Sequence, residues 1–138
     1  MKNNYDRLFV SFIYFFNEEH DYYECHEVME QLWLENGRNL LYQGLLQIAV
    51  GLYHHHQNNV SGAIKLLTAA CEKLQGYSEI EHGIDLKTLI VDTMNYRRKL
   101  CNIDSHPFDP YHLDIQMVDK ELEQLLAEMI VDSLGMEK

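Results

Sequence analysis

Apolar residues recur at steps of three and four along most of the chain, the period of one helical face. Tyr5, Leu8, Phe9, Phe12, Ile13 and Phe16 form the first stripe and predict a helix over 5–17, with Asn4 placed to cap it. Asp21 followed by Glu24 reads as a capping box, and the helix it opens runs to about residue 35, where Asn36-Gly37 ends it. The third predicted helix, 39–56, is uncharged, and no Asp, Glu, Lys or Arg occurs from Asn39 to Ile64. A helix without charge on any side is normally surrounded by protein. Asn58-Asn59 restarts the chain, and Val60, Ala63, Ile64, Leu67, Ala70, Cys71 and Leu74 stripe a fourth helix closed by Gly76.

Asp85 caps a predicted fifth helix reaching about residue 100. Pro107 and Pro110 then hold 105–110 extended. A last helix is expected over 114–134, with Ile115, Val118, Leu122, Leu125, Met129 and Ile130 turned inward. The pattern predicts one all-α domain over 1–138, a helical bundle of five to six helices around the central uncharged helix. The arm and helix over 102–138 are expected to pack on the bundle or on a second subunit. The apolar faces of the first and last helices point to a homodimer.

Composition narrows the function classes. At 138 residues the chain can bury roughly two-thirds of its unfolded surface without staples. A net charge of −11 argues against nucleic acid as a partner, because a phosphate-backbone binder needs a basic patch. Arg97-Arg98-Lys99 sits near a predicted helix C-terminus, where cations meet the negative end of the dipole. The three cysteines, Cys25, Cys71 and Cys101, form no C-x-x-C and are expected to be reduced core residues. No signal-peptide pattern occupies residues 1–7, and no apolar run approaches the ~20 residues that span a bilayer. A cytoplasmic protein without a membrane partner is the expectation.

The candidate chemistry lies in the second helix. Each helical residue advances about 100° around the axis. With His26 at zero, Trp33 falls about 20° to one side, with Tyr22 and Met29 beyond it, and Glu30 about 40° to the other, beside Tyr23 and Leu34. Cys25, Val28 and Leu32 complete an apolar arc, so His26 and Glu30 are expected inside it, with Glu27 at its edge. A buried carboxylate without a partner costs several kcal/mol, so something must compensate Glu30. On the central helix, Gln43, His54 and Asn58 fall within about 40° of Gln47 and form a polar spine with it. Gly44 and Gly51 beside it are expected to admit the motif helix. His26 and Glu30 should then face Gln43, Gln47 and His54.

Four readings follow. His26, Glu30 and His54 could hold a divalent metal (Zn, Mn, Fe or Ni), with Gln47 or water completing the shell. Against this, the paired E-x-x-H segments of di-iron bundles are missing. His26-Glu27-Val28-Met29-Glu30 is a departure from H-E-x-x-H in which Glu27 is the general base of a metal-dependent hydrolase; Glu27, however, points about 100° from His26. The His26/Glu30/Gln47 cluster, with Trp33, could instead be a buried hydrogen-bond network that fixes helix register in a structural or interaction module. Finally, Tyr22, Trp33, Gln43 and His54 have the mixture of apolar walls and few polar groups found in ligand pockets, and the acidic surface favours cationic ligands or basic partner segments. Whether the protein is an enzyme is left open by the residues. Of the other histidines, His55 and His56 are expected near solvent, and His20, His82, His106 and His112 have no ligand-spaced partner.

The blocks F-N-E-E-H-D-Y-Y-E-C-H-E-V-M-E-Q-L-W, Y-Q-G-L-L-Q-I-A-V-G-L-Y-H and N-N-V-S-G-A-I-K-L-L, in this order, resemble an uncharacterised prokaryotic family, domain of unknown function 309. Its H-x-x-x-E-x-x-W/Y hallmark is met by His26, Glu30 and Trp33. Its second block is met by Gln43, Gln47, Tyr53 and His54, and its third by Asn58, Gly62 and Ala63. The resemblance covers about 16–74. It implies an all-helical bundle and a metal-binding role for the motif, and no established activity.

Overall fold

The computed structural model describes residues 4–135, so residues 1–3 of the expected leaderless start lie outside it. Six α-helices account for most of the described chain: α1 (Arg7–Tyr14), α2 (Tyr22–Glu35), α3 (Leu40–His56), α4 (Val60–Leu74), α5 (Leu86–Cys101) and α6 (Lys120–Ser133). The fold is all-α apart from one short hairpin, β1 (Ile80–Glu81) and β2 (Ile84–Asp85), paired antiparallel.

Each of the six α-helices starts on an Asp or Asn. Asp6, Asp21, Asn39, Asn59, Asp85 and Asp119 each accept a hydrogen bond from a first-turn amide, satisfying a donor the helix itself leaves orphaned. Asp6 therefore caps α1 in place of the expected Asn4, which bonds Glu121 at the start of α6. The first helix also ends earlier than its stripe suggests. At Phe15 the backbone widens into a π-helical turn, Phe15–Glu19, closed by His20 in the left-handed region at φ 52°.

α3 is the hub, as its lack of charge predicts. Leu41, Leu45, Ile48, Ala49 and Leu52 are buried along it, and it packs on both α2 and α4. α1 lies on α2 and α6, and α5 on α4. The apolar stripes of α1 and α6 thus meet within the chain. Gly44 and Gly51 open α3 to α4, not to the motif helix: a Cβ at Gly44 would come 2.6 Å from Leu74, and one at Gly51 2.7 Å from Leu67. The small residues pick the closest helix neighbour correctly in kind and wrongly in identity.

The largest departure is at 114–119. These residues are extended, and α6 begins only after Asp119. Leu113 and Ile115 are buried while Asp114 and Gln116 are exposed, the period-two alternation of a strand. Asp85 N–H donates to the Gln116 carbonyl and Val118 N–H to the Gly83 carbonyl, so the segment borders the hairpin. Val118, expected inward, is 49% exposed. The hairpin turn, His82-Gly83, has positive φ at both residues (51° and 77°), which suits a two-residue hairpin loop. Asn17 fastens the extended segment. Its side chain donates to the Ile115 carbonyl and accepts from the Ile115 amide, both at 2.8 Å. Cys25 and Cys71 are buried as expected, but Cys101 is exposed; all three are free thiols. Among the described residues no helix is long and apolar enough to cross a membrane.

Candidate functional site

The cap at Asp21 sets the phase of α2, and the buried line is Tyr22, Cys25, Met29 and Leu32. His26 is one residue off that line, about 100° around the axis from Cys25. Its side chain is 35% exposed, and those of Glu27 and Glu30 are 49% and 47% exposed. Glu30 is therefore half in water, and the need to compensate a buried carboxylate lapses. The arc was drawn too wide because Tyr23 and Leu34, large and apolar, are both more than half exposed. His26 Nδ1 lies 3.4 Å from Glu27 Oε2, and Nε2 lies 4.0 Å from Glu30 Oε1. At such exposure each contact contributes at most about 1 kcal/mol.

Six side chains form a pocket between the two helices: Tyr22, Tyr23 and His26 from α2, and Val50, Tyr53 and His54 from α3. Its volume is about 180 Å³. The Tyr23 and Tyr53 ring centroids are 6.2 Å apart with planes inclined at 50°, and each ring also neighbours a histidine, Tyr23–His26 and Tyr53–His54 both at 6.4 Å. The structure thus brings His26, His54 and Tyr22 to one place.

It leaves the other expected site residues elsewhere. Trp33 is two turns further along α2, with the Arg38 guanidinium 5.2 Å from its ring centre and its Nε1 buried without a hydrogen-bond partner. Gln43 and Gln47 do not line the pocket. Among the described residues Gln47 Oε1 is buried and meets no hydrogen-bond donor. Asn58 is exposed in the turn after α3, at φ 64°. Among the described residues no three His, Cys, Asp or Glu side chains converge as metal ligands. His26, Glu30 and His54 do not converge as such a set.

A second cluster has no counterpart in the sequence reading. The His112 ring stacks on His20 at 3.8 Å and 14°, and lies nearly parallel to His56 at 5.6 Å. The hydroxyl of Tyr22, which lines the pocket, is 3.1 Å from His112 Nδ1. Among the described residues His20 Nδ1 is buried without a hydrogen-bond partner. Burial, and then the neighbouring His20 and His56 rings, hold the His112 imidazole below its ordinary value, against an opposing pull from Asp114. His55, expected near solvent, is buried at 3% exposure with Nδ1 2.6 Å from the Tyr96 hydroxyl. Burial, then His56, lowers its pKa too, and burial pushes the Tyr96 phenol up to about 12. The three stacked histidines come from segments far apart in the chain, so no local spacing announces them.

Residues 9–66 match the family described as Domain of unknown function (DUF309). Over 74 residues the chain is 35% identical to the uncharacterized protein YpuF of Bacillus subtilis (strain 168). That likeness covers 51% of this chain and 42% of that protein, so the chain spans less than half the length of this curated relative. No solved structure matches. The matched segment starts within α1 and ends within α4, and it contains all six pocket residues but not His112. Over residues 9–66, this chain is similar to the proteins of the DUF309 family.

Proposed function

We propose that this protein is a binding module whose site is the pocket between α2 and α3, taking a small organic ligand or one end of a larger one. The observation that carries this reading is the lining itself. Three tyrosines, a valine and two histidines from α2 and α3 leave an open space of about 180 Å³. Mostly apolar walls with a few convergent polar groups are the usual make-up of a ligand site. The pocket walls stand on helices, so they are already in place before a ligand arrives.

A screen of small organic fragments by NMR tests the reading. Saturable shifts confined to Tyr23, His26, Tyr53 and His54 are expected, and they should disappear in Val50→Phe, which fills the pocket. Fragments that shift none of these residues contradict it. Elemental analysis of tag-free protein purified without a nickel column, beside His26→Ala, tests the metal reading. Near-stoichiometric metal that is lost in the variant would favour a metal centre at His26 over an organic ligand.

A further inference from the structure

We infer that the ligand end held in this pocket is an organic cation, an ammonium carrying apolar substituents; the inference rests on the pocket being a binding site. Its walls offer aromatic faces. Tyr22 and Tyr23 from α2 and Tyr53 from α3 surround the space, with the Tyr23 and Tyr53 planes inclined at 50°, so that one group can meet both rings. Tyr22 is buried and its hydroxyl is engaged near His112, so it presents its ring to the pocket. The face of an aromatic ring carries negative charge density and attracts a cation that sheds its water easily.

The charges around the pocket point the same way. Among the described residues no lysine or arginine lines it, and Glu27 and Glu30 flank its His26 at 3.4 and 4.0 Å. Among the described residues neither carboxylate meets a lysine or arginine. A chain of net charge −11 attracts cations over a long range and repels anions. An anionic ligand would lie near the two carboxylates that contact His26, with no lysine or arginine among the described lining residues to offset them. A bare metal ion or compact ammonium would have to shed its hydration against tyrosine rings, which return little of it. An alkylated ammonium has weakly held water and apolar surface to bury, and it suits both the rings and the carboxylates. The volume of about 180 Å³ suits a headgroup of that kind rather than a whole nucleotide or peptide.

The test compares three probes that share a trimethyl head in tyrosine- and histidine-labelled protein: choline, its neutral carbon isostere 3,3-dimethylbutan-1-ol, and the shorter anion trimethylacetate. Choline is expected to bind at least about fivefold more tightly than the alcohol, with its affinity falling as salt rises. Trimethylacetate should give no saturable shift. Glu30→Gln, a change at a half-exposed side chain, should weaken choline about twofold to threefold and leave the alcohol unchanged. If the alcohol matches choline at the pocket resonances, the site stands and the cation is refuted. If no probe shifts Tyr23 or Tyr53, both the cation and the pocket reading fall.

Discussion

The Tyr22 hydroxyl stands 3.1 Å from His112 Nδ1, so a wall of the α2–α3 pocket is joined to the extended segment that precedes α6. Tyr22 belongs to the matched segment and His112 lies beyond it. One contact therefore ties the family-like part of the chain to the rest.

Two histidines, His112 and His55, make stability depend on pH. Burial and neighbouring rings lower the His112 pKa from 6.5, and His55 is lowered by burial and His56. Below 6.5 the unfolded chain takes up protons that the folded chain declines, so acid favours unfolding. Stability should be full above the unfolded value, fall as pH drops through 6.5, and level off below the folded pKa values. Urea midpoints between pH 8 and pH 4.5 measure this. In His112→Gln the slope through that window should be shallower, with the His55 share remaining.

Asn17 and Ile115 make a second such tie, with both backbone polar groups of Ile115 bonded to one amide side chain. Asn17→Ala leaves them without protein partners and should cost about 1–3 kcal/mol in urea unfolding. Hydrogen exchange should show the Ile115 amide losing protection before the α3 amides. Unchanged protection at Ile115 would show that the segment is held elsewhere.

At Gly51 the prediction is steric. A methyl there meets Leu67 at 2.7 Å, so Gly51→Ala should destabilise by about 1–3 kcal/mol through overpacking. Leu67→Ala should cost about 2–5 kcal/mol by leaving a cavity. The double variant should lose less than the sum, because the new methyl enters the space the leucine vacates. Strict additivity in thermal or urea unfolding would contradict the contact.

The thiols should separate by exposure. Cys25 and Cys71 are buried, and burial raises both pKa values, while Cys101 is exposed. In native protein one thiol should react rapidly with a chromogenic disulfide, and denaturant should release the other two. Cys101→Ser should abolish the rapid phase.

Much of the fold was legible because its signals are local. Asp21, Asn39, Asn59 and Asp85 each announce a helix start within four residues, and the uncharged run after Asn39 announces the hub. The start of α6 was missed because Ile115 and Val118 are three apart and fit a helical stripe. The Leu113–Ile115 alternation and the cap at Asp119 outweigh that stripe once the hairpin supplies hydrogen-bond partners. On α2, the face that packs is fixed by Cys25, Met29 and Leu32 meeting α1 and α3, and the sequence alone cannot weigh them against Tyr23 and Leu34. The error is only a fraction of a turn, yet it moves Glu30 from core to surface. The stack of His20, His56 and His112 was invisible because the chain has to fold before the three rings meet.

The most direct measurement is of nuclear Overhauser contacts between the methyl groups of bound choline and the labelled rings of the protein. The account predicts contacts to both Tyr23 and Tyr53, one from each helix, that vanish in Val50→Phe. Contacts confined to residues outside the α2–α3 pocket, or none at saturating choline, would contradict it.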